Sequence, residues 1–150
     1  MLPSRFFKGR KGRGPSKFGN RSNKGLDGHT YHSALEAAVA NMLFADQRAG
    51  LLFVIKRQQH IHIFSHGIKI GEYWPDFVVR DAKSGEIYWV EAKGFEKPDW
   101  HWKLNLWRAG GPGRLFIYKG TWRRPHLDEI VMPVSLCAHV DAAQVMGKLI

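Results

Sequence analysis

Cysteine is almost absent from this chain, because Cys137 is the single cysteine among its 150 residues. One thiol cannot form an intrachain disulfide and cannot supply the ligand set of a cysteine-based zinc site. No window approaches about 18 uninterrupted apolar residues, and the N-terminus carries no apolar segment typical of a secretory signal. We therefore expect a soluble protein of the cytoplasm with no membrane partner.

Acidic residues are absent from the first 26 positions, which makes the charge distribution very uneven. The whole chain has 23 Lys and Arg against 13 Asp and Glu, a formal net charge of +10. Eight of the basic residues lie in this first stretch: Arg5, Lys8, Arg10, Lys11, Arg13, Lys17, Arg21 and Lys24. Residues 27–150 are nearly neutral. The sequence therefore predicts a basic arm over residues 1–30 and a globular domain over residues 31–150.

The basic arm is rich in glycine, serine and proline and shows neither a strand nor a helix period, so we expect it to be disordered. Such an arm attracts a polyanion by releasing condensed counterions, which gives binding that falls steeply with salt. Nucleic acid is the polyanion that this pattern favours, with the eight basic residues as DNA-binding contacts. A solubilising tail or a localisation signal is the alternative interpretation.

The chain has enough apolar material for one packed core, with 44% hydrophobic residues, six Trp and nine Phe. Apolar residues at helical spacing predict an amphipathic helix over residues 33–48 that ends at Gly50. Apolar and β-branched runs bounded by turn residues predict strands. The elements predicted after the first helix are strands over 51–64, 68–80 and 86–93, a helix over 99–108, a strand over 114–118 and a terminal helix over 142–149.

This order of elements predicts an α/β or α+β fold in which helices flank a mixed β-sheet. The first three strands follow one another through short turns at residues 65–67 and 81–85, so we expect them to form a meander. Residues 120–141 show no pattern that favours a helix or a strand.

The strongest candidate for chemistry is a set of three charged residues on two successive strands. Asp76 begins the apolar run of one predicted strand, and Glu91 lies in the next strand, fifteen positions later. Because side chains alternate along a strand, Glu91 and Lys93 share one face. Two carboxylates and an ammonium are therefore predicted to converge at one edge of a hairpin.

Converging carboxylates suit a hard divalent cation such as Mg²⁺, which takes oxygen ligands at about 2.0–2.1 Å and retains several waters. A bound cation neutralises charge that develops on a phosphate and lowers the pKa of its water. Lys93 would then orient or deprotonate the attacking water, or stabilise the pentavalent phosphorane. The sequence does not choose among these roles.

The Pro-Asp pair ending at Asp76, followed by the Glu-x-Lys run from Glu91 to Lys93, resembles the signature of the PD-(D/E)xK nuclease superfamily. Members often carry a Glu on the helix that precedes the sheet, and Glu36 stands at that place. The Trp- and Lys-bearing helix after the Glu-x-Lys run is similar to that of small phage-type Holliday junction resolvases. The resemblance covers residues 31–118.

This resemblance implies a restriction-endonuclease-like core with Glu36, Asp76 and Glu91 as catalytic, metal-binding acids and Lys93 as the catalytic lysine. The implied activity is a Mg²⁺-dependent endodeoxyribonuclease of DNA recombination that resolves four-way junctions by paired phosphodiester hydrolysis. Mn²⁺ is expected to replace Mg²⁺, and no small-molecule cofactor is expected. Symmetric cutting of two strands implies a homodimer. For a phage-encoded chain, the compartment is the host cytoplasm.

Each of these residues also has a structural interpretation. Asp76 can be a turn residue at a strand start, and Glu91 with Lys93 can be an ion pair at an exposed edge. Ser33 and Glu36 match a capping box, in which the Glu accepts from the backbone N–H of the Ser. The alternative functions are another PD-(D/E)xK endonuclease, of the restriction, repair or transposition type, and a non-catalytic DNA-binding module.

Aromatic and basic residues follow the predicted catalytic strand. Trp100, Trp102 and Trp107 are candidates to stack on unpaired bases, although core packing is expected for at least one of them. Lys103 is predicted as a DNA phosphate contact or a neighbour of the active site. A second basic patch at residues 122–126 either contacts the DNA backbone or faces solvent.

His60 and His62 are two positions apart and share one strand face, a pattern that occurs in metal sites. No third ligand is spaced in the sequence to complete such a site. We therefore interpret the two histidines as packed or exposed residues.

Overall fold

The computed structural model describes residues 23–135 of the chain. Two helices lie in this part, α1 over Ala34–Arg48 and α2 over Trp100–Gly110. The strands of the same part are β1 Asn23–Lys24, β2 Thr30–Tyr31, β3 Leu52–Arg57, β4 Ile61–Ser65, β5 Ile68–Tyr73, β6 Phe77–Asp81, β7 Ile87–Ala92, β8 Leu115–Thr121 and β9 Arg124–Val131. Five strands form one sheet in the order β3-β6-β7-β8-β9, and β1-β2 and β4-β5 form two separate hairpins.

The five-stranded sheet is mixed, which confirms the predicted α+β class. β7 and β8 run parallel, whereas the other neighbours in this sheet run antiparallel. A parallel pair needs a crossover connection, and α2 supplies it between β7 and β8. Successive residues of β6 face opposite sides, so Phe77 and Val79 pack with α1 while Val78 packs with α2 and the β4–β5 hairpin. The sheet is therefore covered on both faces.

Helix α1 begins and ends where its sequence predicts. The side chain of Ser33 caps the first turn by accepting a 3.0 Å hydrogen bond from the backbone N–H of Glu36. The chain leaves the helix through Gly50, whose φ of +75° is a left-handed conformation that glycine adopts without steric cost. Within residues 23–135, neither helix has both the length and the apolar character required to cross a bilayer.

Two predicted strands are each divided in the structure. The predicted strand 51–64 forms β3 and β4, because Gln58 adopts a left-handed backbone with φ of +45° and turns the chain into another sheet. The predicted strand 68–80 forms β5 and β6, separated around Pro75, which has no N–H for a ladder. The expected order of three successively paired strands is nevertheless confirmed, since β3 pairs antiparallel with β6, β4 with β5, and β6 with β7.

The stretch without a sequence pattern contains the last strand of the sheet. β9 pairs antiparallel with β8 along its whole length, from Arg124 opposite Thr121 to Val131 opposite Leu115. Most of its residues are partly or fully exposed, which explains why no apolar alternation is visible in the sequence.

The C-terminal end of the predicted arm is an ordered hairpin. β1 and β2 pair within the segment predicted as arm, and Asp27 between them accepts hydrogen bonds from Tyr31 Oη at 2.8 Å and from Arg57 at 2.7 Å. Lys24 thus belongs to the folded domain. Residues 1–22, with the other seven predicted arm contacts, and residues 136–150, with Cys137 and the predicted terminal helix, lie outside the described residues.

Candidate active site

The register of β6 and β7 places Asp76 and Glu91 at the same end of the hairpin. Phe77 lies opposite Val90, so the residue before Phe77 and the residue after Val90 are neighbours across the strands. The connecting turn is stabilised by Asp81, whose Oδ1 accepts hydrogen bonds from Ser84 and Lys83. The predicted convergence of these two carboxylates is present in the structure.

Asp76 is held by the backbone of the neighbouring strand. Its Oδ2 accepts a 2.8 Å hydrogen bond from the N–H of Ala92, the residue between Glu91 and Lys93. Burial, followed by the negative charges of Glu91 and Glu36, raises the pKa of Asp76 well above its ordinary value, although the Ala92 N–H and Lys93 oppose the shift. The carboxyl groups are therefore close enough to sense one another's charge.

Glu91 is a buried acid with one unsatisfied oxygen. Glu91 is 9% exposed, and its Oε2 has no hydrogen-bond partner among residues 23–135. Burial raises the pKa of Glu91 to about 7, against the opposing attraction of the Lys93 ammonium. Glu91 and Lys93 are within ion-pair distance, as the structural alternative expects, but they lie in the interior rather than at an exposed edge.

Tyr73, which the sequence analysis did not single out, faces Glu91 from the end of β5. Its hydroxyl is buried and, like Glu91 Oε2, has no hydrogen-bond partner within the described chain. Burial, and after it the charge of Glu91, raises the pKa of Tyr73. No local sequence signal marks this tyrosine, because the β4–β5 hairpin that carries it pairs with neither β6 nor β7.

Glu36 joins the site from the first turn of α1 and has two roles. Its Oε2 accepts a 3.0 Å hydrogen bond from the backbone N–H of His32, so it helps to cap the helix, although the donor is His32 rather than the expected Ser33. The residue is 6% exposed, and its charge raises the pKa of both Asp76 and Glu91. Capping and membership of the acidic cluster are thus compatible.

Lys93 follows β7 directly and points toward the acids. Its Nζ lies 3.9 Å from Glu91 Oε1 and 4.4 Å from the ring centroid of the buried Trp100. Its backbone N–H donates to the carbonyl of Tyr118 on β8 at 2.8 Å, which extends the parallel pairing by one residue. The backbone of Lys93 is therefore fixed, and the ring of Trp100 limits where its ammonium can move.

These groups open into one cleft of about 750 Å³ between the N-terminus of α1 and the ends of β6 and β7. Glu36, Asp76, Glu91 and Lys93 all line it, so the structure brings together the four predicted catalytic residues. The three acids offer only oxygen ligands, the kind that a hard divalent cation takes, but within residues 23–135 their carboxylate oxygens do not all lie within 4.8 Å of one another, so a cation would have to draw them closer together.

The predicted DNA contacts that the structure describes lie in two places. Lys103 lies near Glu91: its Nζ is 3.1 Å from Asp99 Oδ2, and its charge opposes the effect of burial on the pKa of Glu91. Lys24 instead lines a separate groove of about 1180 Å³ together with the predicted basic patch at Trp122, Arg123 and Arg124.

The three tryptophans of α2 divide between core and surface. Trp100 and Trp107 are 2% and 0% exposed, which confirms core packing for at least one of the three. Trp102 is 64% exposed and stands next to Lys103 in the sequence. It is the member of the set that is free to contact a ligand in solution.

His60 and His62 acquire a neighbour that the sequence analysis missed. Glu72, on the paired strand β5, brings its carboxylate within reach of both imidazoles. Both histidines are exposed, in agreement with their interpretation, but a third candidate ligand that the sequence spacing did not suggest lies beside them.

Comparisons of the chain with protein-family models, with curated proteins and with solved structures find no match. The geometry defines an α+β domain with a cleft in which three carboxylates and a lysine converge at the end of two antiparallel strands.

Proposed function

We propose that this protein is a Mg²⁺-dependent endodeoxyribonuclease, with a restriction-endonuclease-like core, that resolves four-way DNA junctions by paired phosphodiester hydrolysis. The observation that carries the proposal is the convergence of Glu36, Asp76 and Glu91 with Lys93 in one cleft. Three neighbouring carboxylates whose charges raise the pKa of Asp76 and Glu91 are costly to bury unless a cation offsets their charge.

Glu36, Asp76 and Glu91 are the residues that would hold the cation. Bound Mg²⁺, or Mn²⁺ in its place, polarises a phosphate and lowers the pKa of a coordinated water. Burial raises the pKa of Glu91 to about 7, and burial with neighbouring charge raises the pKa of Asp76. The metal-free cleft therefore retains protons near neutral pH and releases them when it binds a divalent cation.

Lys93 is the catalytic lysine of this proposal. Its ammonium lies at the cleft beside Glu91 Oε1 and over Trp100, where a scissile phosphate would enter. From there it can donate a hydrogen bond to the attacking water or to a phosphate oxygen on which charge develops. Lys103, on α2, lies close enough to Glu91 to assist in holding the phosphate.

The substrate is proposed from charge and exposure. A basic stretch with no acidic residue in its first 26 positions binds phosphates without reading bases, which suits recognition of DNA shape. The exposed Trp102 is available to stack on an unpaired base at a junction. Paired cuts need two active sites, so we propose that the protein is a homodimer that acts on branched DNA in the cytoplasm.

The experiment is cleavage of an end-labelled four-way junction beside a linear duplex of matched sequence, in Mg²⁺, in Mn²⁺ and in EDTA. Wild-type protein is compared with Glu91→Gln and with Asp128→Asn, which removes a carboxylate from a surface ion pair with Lys119. Paired nicks in the junction, lost in EDTA and in Glu91→Gln but retained in Asp128→Asn, are expected. Molar mass measured in the presence of the junction tests the homodimer.

Other outcomes would divide the proposal into its parts. Equal cutting of both DNAs would retain the nuclease chemistry and reject the preference for junctions. Cutting by Glu91→Gln at the wild-type rate would reject the assigned site. Binding of the junction without cleavage in either metal would reject the enzyme in favour of a DNA-binding module.

A further inference from the structure

The outer face of the β4–β5 hairpin carries a second cluster of metal-ligating side chains, made of His60, His62 and Glu72. His60 Nε2 is 2.9 Å from Glu72 Oε2, and His62 Nδ1 is 3.6 Å from Glu72 Oε1. One ligand atom from each residue can be chosen so that all three lie within 4.8 Å of one another. This cluster contains no residue of the cleft described above.

A β-bulge in the hairpin creates this arrangement. Ser65 pairs with Ile68 and Phe64 with Lys69, but beyond them the register shifts, so that His62 lies opposite Glu72. Without the bulge, the two-residue turn would place His62 opposite Gly71. Gly71 faces the core instead, where a Cβ would lie 2.7 Å from Leu106 Cδ1 of α2, so a larger residue there would displace the Leu106 side chain. The shifted register therefore presents a carboxylate beside the two imidazoles.

The imidazoles are also supported by aromatic contacts. The ring of His60 stacks on Trp74 with centroids 4.3 Å apart and planes 1° apart, and the His60 and His62 rings are 4.3 Å apart. A stacked ring has fewer orientations to lose when it binds a ligand, which lowers the entropic cost of binding. The side chains remain accessible, with 41%, 47% and 34% of His60, His62 and Glu72 exposed.

We propose that His60, His62 and Glu72 form a Zn²⁺ site that is separate from the carboxylate cleft. Two imidazoles and one carboxylate are a ligand set that zinc accepts at about 2.0–2.2 Å, with a water in the fourth position. Mg²⁺ is disfavoured, because it prefers oxygen ligands and two of these three are nitrogens. Lys69, which contacts Glu72 Oε1, can remain on that oxygen while Oε2 turns to the metal.

A cation at this site would brace the hairpin next to the active cleft. The site joins the start of β4 to β5, and the chain continues from Glu72 through Trp74 to Asp76 within four residues. Tyr73, which faces Glu91, lies between Glu72 and Trp74 in the sequence. Zinc is thus expected to stabilise the hairpin on which the position of Asp76 depends, without entering the cleft.

The test is a Zn²⁺ titration of the full chain by calorimetry, with the bound metal counted after dialysis. Wild type is compared with His62→Gln, with Glu72→Gln and with His66→Gln, a control on the exposed turn of the same hairpin. Wild type is expected to bind one equivalent of Zn²⁺ at this site. His62→Gln and Glu72→Gln should lose this equivalent or bind it at least about tenfold more weakly. His66→Gln should bind like wild type, and excess Mg²⁺ should not displace this equivalent.

Thermal unfolding provides a second readout that does not depend on the count. Zn²⁺ should raise the Tm of wild type and His66→Gln more than that of His62→Gln. Equal stoichiometry and affinity in wild type and His62→Gln would overturn the proposal, and so would an equal loss in His66→Gln. Because Glu91→Gln should retain this equivalent, the result is independent of the nuclease assignment.

Discussion

Asp76 Oδ2 accepts a 2.8 Å hydrogen bond from the backbone N–H of Ala92, the residue between Glu91 and Lys93. The side chain of Asp76 is therefore held by the backbone of the neighbouring strand. The carbonyl of Asp76 is held as well, by the N–H of Gln58 at 2.9 Å. Any shift in the pairing of β6 and β7 would separate Asp76 from Glu91. The geometry of the proposed site is therefore a consequence of strand register.

This hydrogen bond predicts different results for two substitutions of Asp76. Asp76→Asn retains an oxygen that can accept from Ala92 and cannot ionise, so the free energy of unfolding in EDTA should be unchanged or higher. Asp76→Ala leaves the N–H of Ala92 without its acceptor and should cost about 1–3 kcal/mol. Junction cleavage should fall by about 100-fold to 1000-fold in both variants, if each removes charge stabilisation of the transition state. Urea unfolding and initial cleavage rates measure the two effects, and equal stability of the variants would contradict the role of the hydrogen bond.

Glu91 predicts how the stability of the metal-free protein depends on pH. Its pKa is about 7 in the fold against an ordinary 4.5, so between these values the folded state binds more protons than the unfolded state. The stabilisation is fully present below about pH 4.5 and is lost as the pH rises through about 7, with a total on the order of 3 kcal/mol. Urea unfolding in EDTA at several pH values should show this decline, and Glu91→Gln should show a smaller one.

Bound Mg²⁺ should oppose this decline of stability with rising pH. The ionised carboxyl is the metal-binding form, so Mg²⁺ should raise the unfolding free energy more at pH 8 than at pH 5. A decline of the same size in wild type and Glu91→Gln would show that other groups are responsible.

Glu36 and Ser33 allow capping to be separated from catalysis. Ser33→Ala removes the acceptor for the Glu36 N–H and should lower the unfolding free energy by about 1 kcal/mol while cleavage continues. Glu36→Gln retains an oxygen for the His32 N–H but loses the charge, so it should fold as well as wild type and lose cleavage. Chemical unfolding beside cleavage distinguishes them. If Glu36→Gln cleaves normally, Glu36 is a cap alone.

Lys103 and its partner Asp99 predict a shift in the pH profile. The charge of Lys103 opposes the effect of burial on the pKa of Glu91, so Lys103→Gln should move the rise of cleavage to higher pH. Asp99→Asn releases Lys103 from its 3.1 Å ion pair and should leave the profile near its original position or lower. Cleavage rates at limiting Mg²⁺ over a pH series measure this. A profile unmoved by Lys103→Gln would exclude its influence on Glu91.

The basic arm predicts a salt dependence of DNA binding. Replacing Arg5, Lys8, Arg10, Lys11, Arg13, Lys17 and Arg21 by Gln removes seven charges, so the slope of log affinity against log salt should fall by up to about six. Lys83→Gln, on the turn between β6 and β7, is the control and should change the slope by at most about one. Junction affinity from 50 to about 200 mM salt tests this. An unchanged slope in the seven-residue variant would show that the arm does not contact DNA.

Local patterns account for the parts of the fold and site that were predictable. The cap at Ser33 and the glycine at position 50 mark the two ends of α1. The turn after Asp81 sets the register of one hairpin, and that register brings Asp76 beside Glu91. These features depend on residues a few positions apart, which is why periodicity and turn chemistry are sufficient to find them.

Other features depend on departures from regular structure. Gln58 divides one predicted strand by adopting a positive φ, which no glycine or asparagine signals. The bulge in β4–β5 moves Glu72, rather than Gly71, opposite His62. β9 is mostly exposed and so lacks an apolar pattern. A single backbone change of this kind alters the pairing of every residue beyond it.

The amino-acid sequence by itself determined the basic charge of the N-terminal stretch, the first helix and the spacing of Asp76, Glu91 and Lys93, because charge, capping and period-2 alternation are local properties. Only the tertiary structure decided that Glu36 joins them, that Glu91 is buried deeply enough to raise its pKa to about 7, and that Tyr73 faces it. Burial and electrostatic coupling arise from segments far apart in the chain that pack together, and the depth at which a carboxylate comes to lie is a property of the whole fold.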